Sequence, residues 1–371
     1  MNNPIIDLEN KLCQYFGRKH CILTGRCTAA IYIGLKALGI RNGKVALPTI
    51  VNPSPANAVL YAGLEPVFCD INLDDFTIDI ASLKKLIETE SELKAIIAVH
   101  IFGQPADMDQ ILQIAKSKGL YVIEDDAQAM GARYHGKKVG SLGDVSVVSF
   151  AHTKIIDVGL GGAVLTDDDI IASRLRKEVQ CLPEIPTDLQ EMSEDYRTAY
   201  YALKVLTETS PRLNDLFLTM PYIFKDMYLF KIDEDIAIRV IKEIDNLDEY
   251  ILKRKNNALE YQQGLKHPAI IHPNYKEDGV FWRYSFIVDG NIQKKISERM
   301  RDEGFDISNW YPPIHHWYQS GKKQQKDLFK NAEYFASHVC NLWTEPSQSK
   351  ERIQNTIEVL LRIIDEETSD G

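Results

Sequence analysis

Short apolar segments of strand length alternate with helix-forming stretches through the first two-thirds of this chain, and that alternation constrains its fold more than any other feature. Ala95-Ile96-Ile97-Ala98-Val99-His100 is a continuous apolar run of the kind buried on both faces of a parallel sheet, and Leu120-Tyr121-Val122-Ile123-Glu124-Asp125 reads as another buried strand. Residues 43–48, 66–70, 145–150 and 162–166 read as further strands. Between them lie helical stretches at 28–38, 55–61, 80–87 and 107–117, with Gly39, Gly63 and Gly119 as stops and Thr28 as an N-cap. The pattern predicts an α/β fold: a large, mostly parallel sheet sandwiched by helices.

After Glu178 the rhythm changes. Residues 181–230 are rich in Tyr, Leu, Met and Pro and read as helix broken by Pro183, Pro186 and Pro211. A long amphipathic helix is expected over 233–264, then a strand at 279–289 and a helix at 293–303. A Trp310-Tyr311-Pro312-Pro313 loop and a terminal helix at 348–367 follow. The expected division is a large domain over 1–245, with an atypical helical segment at 181–227, and a smaller C-terminal α+β domain over 246–371.

Charge and cysteine usage narrow the function classes. The net charge of −10 argues against general nucleic-acid binding, which needs a basic face. The nearest basic run, Lys322-Lys323-Gln324-Gln325-Lys326, reads as a solvated turn. No apolar stretch approaches the ~20 residues of a membrane span. The start carries Asp7 and Glu9 and does not read as a secretory signal. The six cysteines are scattered without a Cys-x-x-Cys pair, as expected of reduced thiols in a cytoplasmic protein rather than a disulfide framework or a zinc site.

Three places offer chemistry. Glu124-Asp125-Asp126 end an apolar strand, the edge where open α/β sheets bind ligands. Strand alternation turns Asp125 away from its two acidic neighbours; the stretch alone fits a ligand-facing acid or a helix cap equally well. Lys154 follows a buried strand and precedes Gly159-Leu160-Gly161-Gly162. Held in an apolar pocket it would be a neutral, nucleophilic amine; by frequency alone, a loop lysine on the surface is the commoner case. The glycines match no dinucleotide or ATP fingerprint and suit a tight turn. Gly25-Arg26-Cys27-Thr28-Ala29-Ala30 opens a helix, as an ordinary cap or as a phosphate seat. A phosphate seat, an acid at a strand end and a later lysine together suit pyridoxal 5'-phosphate (PLP).

Longer stretches carry a resemblance. Leu64-Glu65-Pro66-Val67-Phe68-Cys69-Asp70-Ile71, residues 98–108, residues 122–131 and residues 140–154 occur in the order and spacing of the DegT/DnrJ/EryC1/StrS family of PLP-dependent sugar aminotransferases. Within the aspartate aminotransferase fold (type I), the chain resembles that family from about Leu8 to Ile364. The resemblance implies that Lys154 forms the internal aldimine and shuttles protons, and that Asp125 keeps the pyridine nitrogen protonated. It places Gln128 by the ring, and Thr28, the backbone of Ala29, and Ser149 at the phosphate, with Cys27 and Asn52 completing the cofactor set. In similar proteins the Trp310-Tyr311-Pro312-Pro313 loop approaches the substrate, which makes Tyr311 and His315 candidate contacts, with Arg26; His152, close to Lys154 in sequence, fits a substrate contact or a packed side chain equally well.

The resemblance also has gaps. Few residues precede Leu8, so the Gly-Trp-Leu-Thr-type loop of such proteins is not expected. Asn52 stands where an aromatic ring usually stacks, Leu229 where an asparagine reaches from the partner subunit, and Lys231 where an arginine is usual. Leu160 replaces an acid, and Arg26 occupies a Ser or Gly position, where it would reach the phosphate. His100 reads as structural. His315 and His316, being adjacent, are expected to project apart and make poor joint metal ligands. Trp282, Trp310, Trp317 and Trp343 read as core or interface.

The activity so implied transfers an amino group from glutamate to a keto sugar, nucleotide-linked, in a homodimer with shared active sites. A PLP- or PMP-dependent sugar dehydratase is the alternative, disfavoured because such relatives replace the lysine with histidine. A catalytically degenerate PLP-binding relative is disfavoured because Asp125 and Lys154 are both present.

Overall fold

A computed structural model describes residues 3–276, 278–318 and 328–369. The basic run at 322–326 lies outside the described residues. The first strands are β1 (His20–Thr24), β2 (Lys44–Pro48), β3 (Glu65–Cys69), β4 (Leu93–Val99) and β5 (Tyr121–Asp125). A two-stranded ribbon, β6 (Arg133–Tyr134) and β7 (Lys137–Lys138), precedes β8 (Val145–Ser149) and β9 (Gly162–Thr166). The seven-stranded sheet runs β1-β9-β8-β5-β4-β2-β3. Only β9 opposes its neighbours; the pairs β2–β3, β2–β4, β4–β5 and β5–β8 are parallel. The continuous apolar runs have the predicted consequence: Ile96, Ile97, Val122 and Ile123 are buried under helices on both faces.

A second, antiparallel sheet of β10 (Ile270–Ile271), β11 (Arg283–Val288) and β12 (Val339–Trp343) has its own apolar cluster, which includes Tyr261, Phe286, Ile296 and Leu360. Trp282, Tyr311, Ile314, Trp317 and Phe335 join the core of the large sheet instead. Among the described residues no helix is long and apolar enough to cross a membrane.

Local chemistry moves several predicted boundaries. The single helix expected over 233–264 is two, Glu234–Ile244 and Leu247–Gly264. The turn falls at Asp245-Asn246, residue types whose side chains compete for backbone hydrogen bonds and so favour helix ends. The strand expected from 279 begins at Arg283, because the Val280 and Trp282 amides donate to the Gly103 and Phe102 carbonyls (both 2.9 Å). Those bonds pin Trp282 beside the end of β4. Thr28 is not the N-cap of its helix. Helix Cys27–Ala37 starts one residue earlier, with Arg26 at the cap and no side chain on its first amides. In the 181–227 segment, helix Leu189–Thr209 and helix Leu216–Ile223 are separated by a turn at Pro211–Asp215.

Candidate active site

A cavity of about 480 Å³ opens at the C-terminal edge of the large sheet. It is walled by β5 and β8, the start of helix Cys27–Ala37, helix Leu189–Thr209 and the 310–317 segment. Every site residue expected from the sequence lines it except Ala29 and His315. Ala29 is fully buried in its helix.

Asp125 ends β5 and accepts the Ala127 amide at 3.0 Å, closing a turn; no helix follows for it to cap. Burial pushes its carboxyl up, while the Ala127 hydrogen bond, then Lys154 and His100, favour its charged form. The alternation read from the sequence holds. Glu124 faces the other way and accepts the Gly140, Leu142 and Gly143 amides at 2.8, 2.6 and 2.6 Å. Burial opposes its charge, but the His100 hydrogen bond, with the Gly143 and Gly140 amides, holds its pKa below the ordinary value. His100 is structural, as expected: its Nδ1 accepts the Ala106 amide at 3.0 Å, which leaves Nε2 to donate to Glu124 at 3.3 Å. Asp126 is fully buried, and neither carboxyl oxygen has a partner among the described residues.

Lys154 sits on an excursion between β8 and β9. The Phe150 amide donates to Gly161 and the Val158 amide to Phe150, both at 3.0 Å, closing the loop. Thr153 takes φ +68, a strained backbone for a β-branched residue. Two bonds hold it there: its amide donates to Asp157 Oδ2 at 2.7 Å and its carbonyl accepts Trp282 Nε1 at 2.5 Å. Arg254 reaches the Lys154 carbonyl at 3.4 Å. Burial lowers the Lys154 pKa, and the nearby Asp125 works against that shift. The amine lies 5.3 Å from the Trp282 ring centroid.

The glycines after Lys154 serve close approach more than a turn. A Cβ at Gly162 would lie 2.5 Å from the Cys27 amide nitrogen, and Gly161 (φ +102) donates to the Gly25 carbonyl at 2.7 Å. They let the lysine loop lie against the uncapped helix start. There, buried Arg26 Nε has no partner among the described residues, and the guanidinium lies 5.8 and 5.9 Å from the Tyr228 and Phe230 rings. Burial lowers its pKa. A half-buried cation beside helix amides that no side chain caps offers the donors a phosphate needs. With a half-buried amine and a buried acid lining the same cavity, these residues fit a phosphorylated aldehyde built on a pyridine ring.

The remaining expected residues have other partners. Asn52 caps helix Pro53–Tyr61, accepting from the Ser54 amide at 3.0 Å and its hydroxyl at 2.7 Å. Leu229 is buried in the core, and Lys231 pairs with Glu184 at 2.9 Å. His152 is at the exposed rim, 3.4 Å from Asp157.

Three expectations need correction. Trp282, Trp310 and Trp317 line the cavity rather than serving only the core; Trp343 does not line it. His315 is behind the wall, buried, with Nδ1 2.7 Å from the Thr49 hydroxyl. Nor do His315 and His316 project apart, because the backbone curls into helix His315–Tyr318 and stacks their rings at 4.3 Å.

Sequence reasoning missed Tyr196, Tyr200, Tyr201, Lys204 and Tyr228, which all line the cavity. Tyr196 and Tyr200 are four residues apart, so one face of helix Leu189–Thr209 carries both; that spacing was the available signal.

Known proteins resemble this chain in sequence and in fold. The sequence profile of the DegT/DnrJ/EryC1/StrS aminotransferase family matches residues 3–361. The chain is 43% identical to a GDP-perosamine synthase of Caulobacter vibrioides over 173 residues, 46% of each chain. It is 28% identical to a dTDP-3-amino-3,6-dideoxy-alpha-D-galactopyranose transaminase of Aneurinibacillus thermoaerophilus, over 98% of this chain and 90% of that one. The fold matches DesV of S. venezuelae with a TM-score of 0.79 at 24% identity, over 98% and 89% of the two chains.

Proposed function

Because this chain belongs to the DegT/DnrJ/EryC1/StrS aminotransferase family, whose members depend on PLP, we propose that it moves an amino group from glutamate to a keto sugar carried on a nucleotide. Bound PLP supplies an electron sink that stabilises a carbanion next to the transferred nitrogen. Lys154 is the amine that would hold the cofactor through its aldehyde and, as a neutral base, would move the proton at the carbon bearing the donor nitrogen. The local burial supports this, since a lowered pKa leaves more of the amine neutral. Asp125 holds the proton on the ring nitrogen. Arg26, with the first amides of helix Cys27–Ala37, holds the phosphate, and Gln128 and Tyr311 border the ring.

The single observation that carries the reading is the convergence of three groups. A half-buried amine and a buried acid each favour the other's charged form, beside a helix start without a side-chain cap and an arginine whose Nε has no partner among the described residues. The nucleotide-sugar products named for the Caulobacter and Aneurinibacillus relatives support the acceptor class. The reading includes a cytoplasmic homodimer. Exposed Val205, Leu206, Tyr222 and Ile223, on the helices beside the cavity, support a second copy covering that face.

The test is a single turnover. Purified protein loaded with PLP is mixed with glutamate and a nucleotide-linked keto sugar. The expected result is 2-oxoglutarate release, loss of the yellow band, and its recovery as the amino sugar forms. A yellow band that glutamate leaves unchanged would contradict the proposal.

A further inference from the structure

Behind the cavity wall, three side chains converge that the transamination reading does not use. His315 and His316 stack at 4.3 Å and turn their Nε2 atoms to one oxygen, Glu333 Oε1, at 3.2 and 2.7 Å. All three potential ligand atoms lie within 4.8 Å of one another. In a tetrahedral zinc site with bonds of about 2.0–2.1 Å, neighbouring ligand atoms are about 3.3 Å apart. One of the two distances matches that edge, and the other needs to open by about 0.6 Å, within reach of the half-exposed Glu333.

The surroundings also suit a metal. Thr49 Oγ1 lies 2.7 Å from His315 Nδ1 and accepts the His315 amide at 3.2 Å, so both the ring and its backbone are fixed. Such a hydrogen bond on the non-ligating nitrogen is the usual orienting partner of a metal-bound imidazole. Phe329 covers a ring face of His315 at 3.9 Å. His315 is buried while His316 and Glu333 are partly exposed, which leaves one side open for entry and for a water ligand.

The geometry points to a divalent-cation site of the zinc class, formed by His315 Nε2, His316 Nε2 and a Glu333 carboxylate oxygen, with its fourth position open. Its place gives it a consequence. Ile314 and Trp317, on either side of the histidine pair, line the cavity, so an ion here ties the 314–317 wall to helix Lys330–His338. This inference stands apart from the assignment of substrate, because none of the three residues lines the cavity.

The experiment is calorimetric titration of chelator-treated full-length protein with zinc chloride, alongside His316→Ala, Glu333→Gln and the surface control His338→Ala. The expected result is one saturable equivalent for the wild type and for His338→Ala. Each ligand variant should bind about tenfold or more weakly. Thermal midpoints without metal identify any variant that has lost its fold, and Glu333→Gln, at a half-exposed position, is the one expected to keep it. The site is refuted by no saturable binding to the wild type, or by equal affinity in the folded ligand variants, which would assign the zinc to other residues such as the exposed Cys181.

Discussion

Gln128 Nε2 donates to the Tyr311 hydroxyl at 3.0 Å while its Oε1 accepts the Phe102 amide at 2.7 Å. One buried amide thus joins the turn after β5, the end of β4 and the 310–317 wall. Tyr311→Phe removes only the hydroxyl. Loss of one net hydrogen bond, with a donor left unsatisfied, costs about 1–3 kcal/mol. Urea denaturation should therefore show a lower midpoint with an unchanged slope; an unchanged midpoint would mean the amide finds another partner.

Arg26 should govern cofactor retention. Its buried Nε has no partner among the described residues, and a charge-assisted bond to phosphate contributes about 1.5–3 kcal/mol. Arg26→Met is expected to weaken PLP binding by about 10–100-fold, read as loss of the yellow band on dialysis. Inorganic phosphate should compete with PLP less effectively in the variant. Equal retention by both proteins would remove Arg26 from the phosphate site.

Asp126 predicts a pH dependence. Burial, then the nearby Glu124 and Asp125, raise its pKa well above the usual carboxyl value. A raised pKa means stability is fully present below the unfolded-state value and is lost as pH rises through the folded-state value; each unit of the raise costs about 1.4 kcal/mol. Asp126→Asn cannot ionise, so its advantage in urea midpoint should widen as the pH rises above about 4, the ordinary carboxyl value. A difference that stays constant as the pH rises would show that Asp126 does not carry the titration.

The aromatic wall rests on a stack of Phe217 and Trp317, whose ring centroids are 4.6 Å apart. Phe217 is 2% exposed, and removing a buried phenyl costs about 3–5 kcal/mol. Phe217→Ala should destabilise the protein by that order and release the 189–223 segment first. Limited proteolysis would then cut within that segment before the rest of the chain. Uniform cleavage throughout the chain would contradict a local role for the stack.

Much of the large sheet could be read directly, because strands buried on both faces leave unbroken apolar runs, as at 95–99 and 120–123. Asp125 and Lys154 were visible for a related reason: charged residues at the ends of such runs interrupt an otherwise uniform pattern. What stayed hidden depends on distant parts of the chain. Trp282 joins the cavity only because the Phe102 and Gly103 carbonyls bind the backbone there, and no local pattern marks that pairing. His315 and His316 look divergent as neighbours and become parallel only through the turn between the 310–313 loop and the short helix. The aromatic face at 196 and 200 has helical spacing, but Pro183, Pro186 and Pro211 interrupt the surrounding sequence, so the helical pattern that would display that face is short.

Lys154 is proposed to carry the cofactor, and borohydride reduction of the PLP-loaded protein followed by peptide mass analysis reads the point of attachment. A phosphopyridoxyl group is expected on the peptide containing Lys154, and none in Lys154→Met. A label on a different lysine, or an undiminished label in the variant, would contradict it.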